Sequence, residues 1–210
     1  MPAPCFPLAA TNELLRNFHD HEWGEPVTEA HILFEYLVLH SFQIGFDFPV
    51  VLRRREAFRE LLADFEADRL AHFTDDDVAA LLLNPRIIRN RRKLEATVQN
   101  ARAWQLLRQR LGGNAAVLRF FYSFVGGRPL DHARPDHQPL PHSTPTSEAL
   151  SRELKRHGFA MLGPVTCYSI MQSAGLVNDH LASCPRHAEC RQLAEEQFSP
   201  APEPPAQAQP

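Results

Sequence analysis

Apolar residues in this chain of 210 residues recur three and four positions apart, and alternating β-branched runs are almost absent. That is the period of helices with one buried face, and it is the strongest restriction on the fold. An all-α architecture is expected. The stretch TEAHILFEYLVLHSFQIG (28–45) carries Ile32, Phe34, Tyr36, Leu37, Leu39 and Phe42, too many apolar positions for a surface helix. It reads as a core helix that starts near Thr28 and stops at Gly45. PVVLRRREAFRELLADF (49–65) reads as a single following helix with Pro49 in its first turn, and TDDDVAALLLN (74–84) as a short helix capped by Thr74. A long amphipathic helix fits 87–111, stopped by Gly112 and Gly113, and another fits 115–125. The segment 126–147, rich in Pro and His, is expected to be a loop crossing between two helical parts, with His132, His137 and His142 as solvated side chains.

Hydrophobic residues make up 44% of the chain and charged ones 22%, the balance of one soluble globular domain. No apolar run of about 18 residues appears, and MPAPCFPLAATNELL lacks the basic start and apolar stretch of a secretory signal. A cytoplasmic protein without membrane association is expected. The cysteines are Cys5, Cys167, Cys184 and Cys190, too few for a disulfide scaffold and better suited to burial or metal binding. Net charge is −3 and the pI is near 6.4, so no global attraction to nucleic acid follows. Basic residues do cluster at Arg53 to Arg55, Arg86 to Lys93 and Arg152 to His157. These clusters fit either a basic face or three solvated helix surfaces.

The stretch VNDHLASC (177–184) places His180 and Cys184 four residues apart. On a helix this spacing puts both on one face, half of a tetrahedral metal site whose other two ligands must lie elsewhere. On spacing alone, a packed thiol beside a solvated imidazole stays open as the alternative. Between 148 and 176 a helix ends at Gly158, a tight link FAMLGP follows, and a second helix starts near Pro164. Such a pair is a helix-hairpin-helix candidate, whose turn amides can hold a phosphate.

Taken together, FHDHEWG (18–24), IIRNRRK (87–93), NARA (100–103), ALSRELKRHGFAMLGPVTCYSIMQSAGLVNDH (149–180) and the final Cys184 make the chain similar to the bacterial 3-methyladenine DNA glycosylase I family. The resemblance covers nearly everything from Cys5 to Cys184. It implies an all-α helix-hairpin-helix glycosylase fold and one structural zinc that ties the chain ends together through Cys5, His19, His180 and Cys184. His21, His187 and Cys190 are the nearby substitutes. It implies a base pocket with Phe18, Trp23, Gln43 and Phe48, a DNA wedge at Gly45 and Phe46, and a phosphate-binding hairpin at Gly163 and Pro164. A single domain over 1–190 is expected, with zinc-binding ends at 1–24 and 176–190, followed by a disordered tail over 191–210.

Three pocket positions depart from the family. His40 stands where the family places a recognising glutamate, Phe48 where it places a tryptophan, and Phe18 where it places a tyrosine. Histidine cannot supply a carboxylate's charge to a cationic base, and lost stacking area costs on the order of 1 kcal/mol per base. The expected activity is hydrolysis of the N-glycosidic bond of an alkylated base turned out of double-stranded DNA, leaving an abasic site. His40 is the candidate for positioning water. Asp179 is a weaker candidate carboxylate, better read as a helix cap or as a partner of His180. A monomer needing no nucleotide cofactor is expected. Two alternatives are a non-catalytic protein that binds alkylated DNA through a degenerate pocket, and a zinc-stabilised helical module with no DNA role.

Overall fold

The computed structural model describes Cys5 and residues 11–198. Eleven helices run in the order α1 (Glu13–His21), α2 (Ala30–Gln43), α3 (Phe48–Leu52), α4 (Arg55–Leu61), α5 (Ala67–Leu70), α6 (Asp75–Leu83), α7 (Arg91–Leu111), α8 (Asn114–Ser123), α9 (Pro145–Arg156), α10 (Pro164–Ser173) and α11 (Pro185–Phe198). None of the described helices is long and apolar enough to cross a membrane.

Helix α2 is the axis of the fold. Leu33, Phe34, Leu37, Val38, Leu39 and Phe42 along it are all at most 1% exposed, so it is apolar all round and needs neighbours on every side. It packs against α3, α7, α8 and α10. Each such side chain withdrawn from water contributes about 2 kcal/mol. Its start differs from expectation: the N-cap is Glu29 without a side-chain cap bond, not Thr28.

The single helix expected over 49–65 is broken twice. Residues 53 and 54 separate α3 from α4, and Ala63, Asp64 and Phe65 then take φ near +50°. The left-handed turn is locally unfavourable for residues with a Cβ, but it returns Leu62 and Phe65 to the core at 1% exposure each. The first break frees Arg55 to donate to Glu35 and Glu22, both at 2.6 Å. Arg59 joins Glu35 at 3.0 Å, so α1, α2 and α4 are locked together. Arg55 is therefore spent inside the protein and unavailable to a basic DNA-facing surface. Helix α6 has the Thr74 cap, closed reciprocally with Asp77. Helix α7 starts at Arg91 behind Asn90 and ends at left-handed Gly112, so residues 87–90 lie outside it.

The crossing loop is not wholly irregular. Leu130–Asp131 (β1) pairs in parallel with Val177–Asn178 (β2), and Arg134 bridges to Leu181. Two residues of strand escape any periodicity test, because alternation cannot be recognised over so short a run. Arg134, only 4% exposed, donates to the carbonyls of Asp179 at 2.9 Å, Gln138 at 2.6 Å and Cys5 at 2.7 Å. One guanidinium from the loop thus holds both ends of the chain. The C-terminal boundary also moves: α11 continues through Phe198, whose ring lies 4.5 Å from that of Tyr122. The expected disordered tail is therefore helical over 191–198, and its remainder lies outside the described residues.

Gly175 marks the tightest backbone approach. At φ +62°, a Cβ there would lie 2.3 Å from the Glu25 carbonyl group. This closeness lets Ala174 accept from Val27 N at 3.0 Å and Gln172 from Gly24 N at 3.0 Å. Gly175→Ala is expected to cost about 3 kcal/mol, roughly 6–12 °C in Tm. Thermal unfolding monitored by circular dichroism checks this, and an unchanged Tm would contradict the close packing.

Candidate functional site

Cys5, His19, His180 and Cys184 converge, all buried, with one potential ligand atom from each lying within 4.8 Å of all the others. The Sγ atoms of Cys5 and Cys184 stand 3.5 and 3.7 Å from His180 Nδ1, and Cys184 Sγ stands 3.8 Å from His19 Nε2. The edges of a tetrahedron with metal–sulfur bonds near 2.3 Å and metal–nitrogen bonds near 2.0 Å are roughly 3.3–3.8 Å. The donor set and its spacing fit one tetrahedral metal ion.

The imidazoles are turned correctly for that use. His180 donates from Nε2 to the Trp23 carbonyl at 2.8 Å, and His19 from Nδ1 to Asp20 at 2.7 Å. Each ring therefore presents its unprotonated nitrogen inward, the arrangement that orients metal-bound histidines. Burial pushes the Cys5 thiol up to about 12 and His180 down to about 3. Both shifts favour the neutral forms of Cys5 and His180; a divalent cation would favour the thiolates.

His180 and Cys184 do not share a helix. Residues 179–183 form an irregular turn, closed by Cys184 N donating to Leu181 O at 2.8 Å, before α11 begins at Pro185. The chain folds back on β2 and a proline starts the helix, so the four-residue spacing is bridged by a turn. Among the substitutes, His21 is exposed, and His187 pairs with Asp131 at 2.8 Å. Cys190 is buried outside the four-residue set. Gly24 makes room for His180: a Cβ there would meet His180 Cδ2 and Nε2 at 2.9 Å.

Beside this cluster lies a cavity of about 250 Å³. Phe18, Trp23, His40, Gln43, Phe46 and Phe48, all singled out in the sequence, line it. Trp23 belongs to both sites, because its carbonyl holds His180 and its ring stacks on His19 with centroids 5.9 Å apart. Phe48 stacks on His40 at 4.6 Å and 15°, and Phe18 meets Phe48 edge-on at 5.1 Å. His40 is only 4% exposed. Its Nδ1 donates to Gln43 Oε1 and its Nε2 accepts from the Ser173 hydroxyl, both at 2.7 Å. Burial lowers its pKa to about 4, so the imidazole is neutral at ordinary pH.

Sequence reasoning missed the other wall. Ser169, Gln172 and Ser173 of α10 line the cavity, as does Leu140 of the crossing loop. The serines and Gln172 form a polar stripe at positions i, i+3 and i+4 on an otherwise apolar helix, a signal that periodicity alone could have supplied. Asp179 is neither a cap nor the partner of His180. Its carboxylate, 1% exposed, accepts from Gln172 at 2.7 Å and from Tyr168 and His132 at 2.5 Å each. Burial alone would raise its pKa, but the bonds from His132, Tyr168 and Gln172 hold it below the usual value. His132 is consequently anchored and not a freely solvated side chain.

Phe46, 43% exposed, and Gly45, at φ +80°, stand at the cavity mouth on the turn after α2. Behind them Lys93, 3% exposed, donates to the carbonyls of Phe42 at 2.6 Å and Ile44 at 2.5 Å, and its Nζ lies 4.5 Å from the Phe46 ring centroid. The ammonium satisfies carbonyls left open at the end of α2 and steadies the loop. Gly163 and Pro164 begin α10 after the link from α9. Asn100 of α7 grips that link by bonding both the N–H and the carbonyl of Ala160, at 2.7 and 3.1 Å.

The family described as methyladenine glycosylase matches residues 8–187. Over 179 residues, 85% of this chain and 95% of the relative, the sequence is 40% identical to the DNA-3-methyladenine glycosylase of Haemophilus influenzae. Over 167 residues, 80% of this chain and 88% of the relative, it is 38% identical to DNA-3-methyladenine glycosylase 1 of Escherichia coli. A solved variant of 3-methyladenine DNA glycosylase I in complex with 3-methyladenine superposes with a TM-score of 0.79 at 35% identity, covering 83% of this chain and 92% of that one.

Cys184→Ala is expected to lose bound metal, measured by elemental analysis of the purified protein, and to unfold at lower temperature. A variant that keeps a full equivalent of metal would remove Cys184 from the ligand set.

Proposed function

The chain belongs to the methyladenine glycosylase family, and from that premise we propose how its own residues carry out the family's reaction. It is a base-excision repair N-glycosylase that hydrolyses the bond between an alkylated base and its sugar, leaving an abasic site. The observation that carries the detailed reading is the aromatic, uncharged corner formed by Trp23, Phe18, Phe48 and His40 around a base-sized cavity.

A base inside a duplex must be turned out before its glycosidic bond can be reached. Phe46, at the mouth on its Gly45 turn, is the side chain suited to fill the gap left in the stack. The link before α10, with Gly163 and Pro164 at the helix start, acts as a helix-hairpin-helix contact to a DNA phosphate. The turned-out base lies against Trp23 and Phe48. One zinc ion held by Cys5, His19, His180 and Cys184 has a structural role, joining 1–24 to 176–190 in one domain and so fixing Trp23. The partner is double-stranded DNA bearing an alkylated purine, engaged by a monomer.

Alkylation at a ring nitrogen gives the base a positive charge and makes it a good leaving group, so strong acid catalysis is not required. The protein's work is to orient the nucleotide, exclude bulk water and let the DNA phosphates and nearby dipoles stabilise the sugar cation. His40 has both ring nitrogens engaged. As a neutral group it places the Gln43 amide and the Ser173 hydroxyl without repelling a cationic base. A water-positioning role for His40 requires one of those two bonds to open when DNA enters.

Chromatography of bases released from genomic DNA treated with a methylating agent tests the reading, and free 3-methyladenine is the expected product. Intact DNA recovered with all its methylpurines would overturn it. Because His40 stays neutral down to about pH 4, the release rate should show no imidazole inflection between about pH 5 and 8. An inflection near 6.5 that vanished in His40→Ala would show that the ring takes up a proton during turnover.

A further inference from the structure

Among the described residues, Asp47 is the one lining the cavity that carries a formal charge. Of the thirteen lining residues, His40 and Asp47 alone bear ionisable acid or base side chains, and His40 is held neutral. Asp47 sits between the mouth residue Phe46 and the stacking residue Phe48, is exposed, and precedes α3 as its N-cap. It makes no side-chain cap bond there, and among the described residues its carboxylate has no hydrogen-bond or ion-pair partner. An aspartate that neither caps its helix nor pairs with a cation contributes little to the fold at that position. Asp47 is exposed and belongs to the cavity lining. Lys93 of α7, the buried cation behind that loop, is spent on the carbonyls of Phe42 and Ile44 and on the Phe46 ring.

We infer that Asp47 is a specificity-determining residue, supplying the negative charge by which this pocket selects a cationic alkylated base over its neutral parent. The inference rests on the proposed glycosylase reading. An N3-alkylated adenine still joined to its sugar is a cation, whereas adenine is neutral. In a cavity otherwise lined by aromatic and aliphatic side chains, amides and hydroxyls, a single carboxylate separates the two through Coulomb attraction, reduced by solvent in the open cavity and strengthened when the base fills it and displaces water. The same charge stands at the mouth where DNA phosphates approach, so it opposes duplex binding in general. Asp47 is therefore expected to weaken affinity for undamaged DNA while raising the rate of excision, a pair of opposite effects that simple structural support would not produce.

Asp47→Asn isolates the charge, because asparagine keeps the size and shape of the side chain and there is no cap bond to lose. Three measurements are compared with the parent and with Asp47→Glu: single-turnover release of 3-methyladenine from methylated duplex, affinity for a duplex containing the uncharged isostere 3-deaza-3-methyladenine, and affinity for undamaged duplex. The asparagine variant should release 3-methyladenine about tenfold more slowly or worse. Its affinity for the isostere should stay within about twofold, its affinity for undamaged DNA should be tighter, and the glutamate variant should retain most of the rate. Unchanged release in Asp47→Asn overturns the inference alone. Equal losses on the charged and uncharged lesions also overturn it, showing that Asp47 acts through shape or hydrogen bonding. A parent that releases no methylpurine overturns the proposed function and this inference with it.

Discussion

The bond from His180 Nε2 to the Trp23 carbonyl, 2.8 Å long and buried, is the joint on which the rest of the arrangement depends. It turns the inner nitrogen of His180 toward Cys5 and Cys184, and it fixes the backbone of the tryptophan that walls the cavity. Gly24 next in the chain leaves the space the imidazole needs, and Gly175 lets the chain after α10 lie against Glu25 and Pro26 at the required distance. The cysteine–histidine cluster and the cavity thus share Trp23, and a loosened cluster would shift a pocket wall as well as lower stability.

Buried polarity is handled differently in the two halves. Around α2 and α4, Arg55 and Arg59 meet Glu22 and Glu35 in paired charges, which compensates the desolvation of each. Near the cavity, Arg134 and Lys93 are satisfied by backbone carbonyls, and His40 is kept neutral between an amide and a hydroxyl. Asp179 gathers three donors into a compact network behind Gln172. The floor itself is lined by uncharged groups, and the ionised Asp179 and Lys93 stand behind that lining with their charges satisfied by neighbouring donors and carbonyls.

Much of this was legible in the sequence. The helix period gave α2, α6, α7, α8 and α10, because long amphipathic or wholly apolar stretches leave little choice of secondary structure. The cysteine and histidine spacing raised a metal site, and resemblance completed its ligand set. What the spacing misled on was local geometry: His180 and Cys184 meet through a turn because pairing with the crossing loop holds the chain off the helix until Pro185. The break between α3 and α4 was invisible for a similar reason. The residues there are good helix formers, and the tertiary demand that Arg55 reach Glu22 and Glu35 overrides their propensity.

By itself, the sequence determined that the chain would build a helical core around one apolar axis, that cysteine and histidine would be available at both ends, and that aromatic side chains would cluster near 18–48. These follow from periodicity and composition, properties that depend on neighbours along the chain. Only the tertiary structure decided that Ser169, Gln172 and Ser173 join His40 around one cavity, that Asp179 serves Gln172 and not His180, and that Asp47 is the one charged residue lining that cavity among those described. Each of these is set by contacts between segments remote in sequence, where side-chain direction and burial, not residue type, fix what a group can do.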